Sequence, residues 1–163
     1  MAQVVLLRID DRLLHGQIGR FWLKEVGADL IVVANDNISA DKNEQKLMDL
    51  TCPIGTKTYY LSVDDAGSNL ETLEEDKDAL VIVESPKDAL SLIKAGIKID
   101  SINLGNMRNT GNKDKVNETV YVDDEDRKYF EEILATHKNL DIRTNPTAVS
   151  YTHLRAHETR HDI

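Results

Sequence analysis

Residues 3–20 read QVVLLRIDDRLLHGQIGR, and they set how the rest of the chain is read. "QVVLLRI" (3–9) is a short apolar run ending in polar residues, the pattern of a strand buried on both faces. From Leu14 onward the period changes. Leu14, Ile18, Phe21, Trp22 and Val26 recur at helical spacing, and Gly27 supplies a stop. Between strand and helix, Arg8, Asp10, Asp11, Arg12 and His15 crowd together with Gly16, Gln17 and, slightly later, Arg20. None of these is ordinary core material, so the segment calls for a functional explanation.

The same alternation continues downstream. "DLIVVAN" (29–35) is a second strand, and Asp41 is placed to cap a helix over 42–50. "TKTYYLSV" (56–63) is a third strand, followed by a short helix that Asp64 or Asp65 opens and that runs to Leu73. "ALVIVE" (79–84) is a fourth strand. Ser85 and Pro86 are a cap and first-turn proline for a helix to Ala95, which Gly96 ends. "IDSINLG" (99–105) is a fifth strand, and residues 106–117 read as a polar loop. "ETVYVD" (118–123) is a short strand, Asp123 or Asp124 caps a helix over 125–139, and "LDIRTN" (140–145) is a last strand. Strand and helix in alternation predict an α/β fold, a doubly wound and mostly parallel sheet with helices on both faces. Ligands of such sheets sit at the carboxyl ends of strands near a topological switch point, and the 8–20 segment lies at such an end.

Bulk properties narrow the class. The 163 residues suit one domain with a real core. No apolar stretch approaches the length that spans a bilayer, and the early acids of "MAQVVLLRIDD" are unlike a signal peptide. One cysteine, Cys52, excludes an internal disulfide framework and fits a reducing cytoplasm. A net charge of −9 with scattered basic residues argues against nucleic acid, which needs a concentrated basic face.

A histidine at this strand end has four candidate roles: satisfied core residue, metal ligand, general base or phosphoryl acceptor. The flanking charges demand solvent, which weakens the first. A metal needs further ligands, and Arg12 would oppose a cation. An anion explains more. Arg12, with Arg8 and Arg20 flanking, offers guanidinium groups that pair with phosphate. A helix beginning near His15 would add backbone N–H donors, and Gly16 would let the backbone approach the anion and take unusual dihedrals. Neutral imidazole is a competent nucleophile near neutral pH, and Asp10 or Asp11 is placed to orient the ring through its other N–H. The constellation suits a transient phosphohistidine.

"RIDDRLLHGQ" (8–17) resembles the active-site loop of the IIB components of the mannose/fructose/sorbose family of the sugar phosphotransferase system (PTS). "WLK" (22–24), "VVAND" (32–36), "PIGTK" (53–57), "INLGNMR" (102–108) and "DIRTNPT" (141–147) follow in that family's order and approximate spacing. The resemblance covers residues 3 to about 148. It implies that His15 accepts a phosphoryl group from a IIA phosphohistidine and passes it to a sugar held by membrane IIC and IID components. The chain would then be a phosphotransferase at the cytoplasmic face of the permease, needing neither metal nor cofactor. It also implies a sheet of about seven strands, with Asp10, Asp11, Arg12 and Gln17 around the phosphate. The domain is expected over 1–148. "YTHLRAHETRHDI" (151–163), with His153, His157 and His161 spaced to line one helix face, reads as a tag or scar on an atypical 149–163 tail.

Other readings explain less. Cys52 follows apolar helix positions and reads as a helix-end residue, unlike a phosphocysteine loop. The paired acids resemble those of a receiver domain, a regulatory alternative that accounts for neither His15 nor the arginines. No G-x-G-x-x-G or P-loop pattern occurs. Asn35 and Asp36 suit an Asx-type turn, with a supporting role open because they share the sheet edge of His15. Arg108 is placed to reach the phosphate or a partner, His137 reads as structural near a helix end, and Trp22 reads as core.

Overall fold

A computed structural model describes residues 2–16, 18–74 and 76–142. Its elements in chain order begin with β1 (Gln3–Asp10), a π-helical turn (Ile18–Trp22), α1 (Leu23–Val26), β2 (Leu30–Ala34), α2 (Asp36–Ser39) and α3 (Lys42–Asp49). Next come β3 (Lys57–Leu61), α4 (Val63–Asn69) with a 3-10 turn (Leu70–Thr72), β4 (Asp78–Val83), α5 (Pro86–Lys94) and β5 (Ile102–Asn106). β6 (Asp114–Asn117), β7 (Val120–Val122), α6 (Asp124–Thr136) and β8 (Asp141–Ile142) complete it.

The central sheet is parallel and ordered β3-β2-β4-β1-β5-β8. This differs from the expected count of about seven. Among the described residues the sheet holds five full strands, and the sixth, β8, is a two-residue edge. "ETVYVD" is not one of its strands, although Val120 forms a parallel bridge with Met107 just past β5. Its core, β7, pairs antiparallel with β6, which lies inside the segment expected to be loop. The reason is local: Asn117 Oδ1 accepts from Thr119 N at 2.9 Å and closes a tight turn, so the two short segments pair with each other.

Helices cover both faces. On one side Leu6, Ile31, Val33, Leu80 and Ile82 of the strands pack with Leu14, Ile18, Trp22 and Met48. On the other, Leu7, Ile9, Val32, Val81 and Leu104 pack with Ala66, Leu90, Leu92, Phe130 and Ile133 of α4, α5 and α6. From Leu6 onward β1 alternates between faces, as the period-2 geometry of a strand requires, whereas the irregular register between Val4 and Leu6 puts those two on opposite sides. β1 and β2 send their following helices to the first face, whereas β4 sends α5 to the second. The carboxyl end of β1, between β4 and β5, is therefore a place where neighbouring connections part.

Most caps are the residues the pattern singled out. Asp41 accepts from Glu44 N, Ser85 from Asp88 N, and Asp123 from Asp126 N in a reciprocal capping box. One differs: α4 starts earlier than expected, because Ser62 accepts from Asp65 N and so leaves Asp64 and Asp65 in the first turn. Phe21 also departs from the helical stripe and is exposed. The π-helical turn has more residues per turn and so a smaller angular step per residue, which keeps Ile18 and Trp22, four apart, both inward and turns Phe21 out.

Candidate active site

β1 ends by placing Arg8 and Asp10, two residues apart, on the same face. The chain then turns sharply. Leu13 N donates to Asp10 O at 2.9 Å, and Leu13 sits in the left-handed region at φ 58°. That conformation costs a residue with a Cβ about 1–2 kcal/mol, and burial of both Leu13 and Leu14 against the first-face cluster offsets it. The turn carries His15 back over the strand end, where its carbonyl accepts from Ile18 N and Gly19 N.

The Asp10 carboxylate is the hub, with 0% side-chain exposure. Oδ1 accepts from Arg12 N at 3.0 Å and Arg12 Nε at 3.3 Å. Oδ2 accepts from Arg8 Nη2 at 3.1 Å and Arg12 Nη2 at 3.4 Å, and meets His15 Nε2 at 3.0 Å. Burial alone would push this carboxyl up. The His15 hydrogen bond, the Arg8 charge and the Arg12 hydrogen bonds together outweigh it and hold its pKa below the ordinary value. His15 keeps 22% side-chain exposure and Arg12 39%, so both reach solvent while their shared acceptor does not.

Asp11 points elsewhere. Its Oδ1 accepts from Asn106 Nδ2 at 2.5 Å, and its Oδ2 from Arg108 N at 2.7 Å and Arg108 Nε at 3.2 Å. It ties the His15 loop to the segment leaving β5 and holds the base of an Arg108 side chain that is 70% exposed.

Arg8 departs from its expected place flanking the anion. Its side chain is fully buried beneath the loop, with the guanidinium carbon 5.0 Å from the Trp22 ring centroid. Asn103 Oδ1 accepts from Arg8 Nη1. A Cβ on Gly105 would overlap the guanidinium, so glycine in the middle of β5 leaves the space that Arg8 fills. Burial pushes the Arg8 pKa down to about 10, with Asp10 opposing the fall, and Arg8 stays cationic at neutral pH.

Gly16 is helical with no positive φ, so it takes no unusual dihedral. A Cβ there would meet nothing within 4 Å, and open space is what the position offers. Asn35 caps α2 by accepting from Ile38 N at 3.0 Å, and Asp36 accepts from Val63 N at 2.9 Å. Both stand at the end of β2, with β4 between that strand and β1. Arg20 lies exposed on the π-helical turn. Cys52 sits just past α3, and burial pushes its thiol up, against reactivity. His137 ends α6 with Nε2 3.2 Å from Ile99 O. Gln17, most of "DIRTNPT" and the 149–163 tail with its three histidines lie outside the described residues.

Asn103, Gly105 and Asn106 were not singled out as site residues, although all three lie in "INLGNMR". Glycine inside an apolar strand was the available signal, since it marks a close approach by another group.

The chain matches the PTS system sorbose subfamily IIB component over residues 4–156. It belongs to the sorbose-type IIB family of the phosphotransferase system. It is 32% identical over 147 residues to the N-acetylgalactosamine-specific phosphotransferase enzyme IIB component 2 of Escherichia coli K12, covering 90% of this chain and 94% of that protein. It is 34% identical over 151 residues to the fructose-specific EIIB component of Bacillus subtilis 168, covering 92% and 93%. The crystal structure of the IIBSor domain of the Klebsiella pneumoniae sorbose permease superposes with a TM-score of 0.88 at 27% identity, covering 99% of this chain and 98% of that one. This IIB component therefore serves a sugar phosphotransferase system. Among its described residues no helix is long and apolar enough to cross a membrane.

Proposed function

We propose that this IIB component is a phosphoryl carrier. His15 Nδ1 takes the phosphoryl group from the phosphohistidine of a IIA protein or domain and gives it to the sugar handled by IIC and IID membrane components. The observation that carries the reading is the 3.0 Å contact between Asp10 Oδ2 and His15 Nε2. An ionised carboxylate only accepts, so Nε2 is the protonated nitrogen and the lone pair lies on Nδ1. In the transfer, that pair forms the new N–P bond while the donor's N–P bond breaks, and the donor imidazole departs with its electrons. The Nε2 proton stays on Asp10's side throughout. Positive charge developing on the ring is stabilised by the buried carboxylate, and Arg12 compensates the phosphoryl charge.

Gly16 beside open space lets the donor imidazole approach, and Arg108, held at its base by Asp11, adds a second cation at the rim. In this reading the chain works as a peripheral partner of the permease, on its cytoplasmic side. The relatives are named for different sugars, so the sugar is left to the membrane components.

Incubation with phosphorylated IIA tests the proposal. Wild type should take up acid-labile, base-stable phosphate, and His15→Ala none. Label retained by His15→Ala would overturn the reading, and label on Asp10 or Asp11 would favour a receiver-like domain instead.

A further inference from the structure

A polar ladder crosses the sheet beneath His15. In the parallel register Asp141 of β8 stands beside Asn103 of β5, and Asn103 beside Arg8 of β1. Asn103 bridges the two, its Nδ2 donating to Asp141 Oδ2 at 3.3 Å and its Oδ1 accepting from Arg8 Nη1. Arg8 Nη2 then reaches the same Asp10 oxygen that meets His15 Nε2. Four side chains thus connect the edge of the sheet to the imidazole.

Arg8 is fully buried and cannot meet a phosphoryl group, so its part in the reaction has to pass through Asp10. We propose that Arg8, aimed by Asn103 and Asp141, is a positioning residue for phosphoryl transfer. It fixes Asp10 Oδ2 toward His15 and keeps that carboxylate ionised, which holds the ring in the Nε2–H tautomer with Nδ1 free for phosphorus. The inference rests on the carrier reading of His15.

Chemistry supports each part. Without a cation beside it, a buried carboxyl rises toward its neutral form. A neutral carboxyl donates as well as accepts, and so no longer selects one tautomer. The fork of Arg8 lets separate nitrogens engage Asn103 and Asp10 together, which a lysine point charge cannot do. The missing Cβ of Gly105 leaves room for the guanidinium, and the Trp22 ring packs against it from the turn that follows His15.

The test uses the full chain with 15N-labelled histidine, read by NMR in the unphosphorylated state, beside steady-state transfer from phosphorylated IIA. Wild-type His15 should show the Nε2–H tautomer. Arg8→Met should show mixed tautomers and a kcat lowered about 10- to 100-fold, the range for partners that orient a functional imidazole. Its KM for phospho-IIA should stay within about twofold, because the docking surface is untouched. Arg8→Lys should recover the tautomer and part of kcat. A folded Arg8→Met with wild-type tautomer and kcat would overturn the inference. Should Arg8→Met not fold, Asn103→Ala decides, because it keeps the cation but removes one of its acceptors. Partial tautomer mixing with a lowered kcat supports the ladder, and wild-type values of both refute it. The tautomer is measured without phosphate, so it still reports on the ladder if wild-type His15 takes no label and the carrier reading fails.

Discussion

Asp10 gathers more of the site's chemistry than any other residue described, because one buried carboxylate answers Arg8, Arg12 and His15 at once. Its neighbour Asp11 is chemically identical but serves Asn106 and Arg108. The depressed pKa of Asp10 gives the site a pH signature. A carboxyl whose folded pKa lies below its unfolded one adds stability above the unfolded value, and that stability is lost as pH falls through the folded one. Asp10→Asn removes this contribution and leaves Arg8 without its buried counter-charge, a loss of about 3 kcal/mol or more at neutral pH. The gap between wild type and Asp10→Asn should therefore be largest near neutrality and shrink below about pH 4. Urea midpoints of both proteins at pH 7 and pH 3 measure it, and a gap independent of pH would contradict the assignment.

At the scale of elements, the π-helical turn decides where the site's support stands. It brings Trp22 under Arg8, and it packs Gly19 against the turn after α3. A Cβ on Gly19 would lie 2.8 Å from Thr51 O and 3.1 Å from the Cys52 Cα, both backbone atoms that cannot rotate aside. Gly19→Ala should cost about 1–3 kcal/mol, as overpacking does elsewhere. It should also lower phosphoryl transfer, because displacing the turn lifts Trp22 from Arg8. Denaturant unfolding and a transfer assay on the same preparation check both effects, and an unchanged unfolding midpoint would show that the turn yields freely. Gly16, only three residues earlier, meets nothing, so Gly16→Ala serves as the control for stability.

For the whole molecule, stability should fall from the middle of the sheet outward. β4 lies between β2 and β1 with five consecutive buried residues, whereas β8 contributes two residues at one edge and β3, at the other, is only partly buried. Amide hydrogens of β4 should exchange through global unfolding, and those of β3 and β8 through smaller openings, in native-state hydrogen exchange. Equal protection across all strands would refute this gradient. Since Asp141 of β8 anchors the polar ladder, opening of that edge should reach Asn103 before it reaches Asp10. Hydrophobic period and capping chemistry are local properties, so the alternation of strand and helix, the caps Asp41, Ser85 and Asp123, and the strand-end position of His15 were all legible in the chain's own pattern. The motif "RIDDRLLHGQ" likewise pointed to the IIB family. Partners across the sheet were not legible, because register brings together residues about a hundred positions apart. Period alone could not separate Asp10 from Asp11, bury Arg8, or reveal why Gly105 is glycine. It also could not tell that "ETVYVD" prefers a hairpin to the main sheet. Those outcomes depend on which side chains compete for one enclosed space, and only the assembled tertiary structure decides that competition.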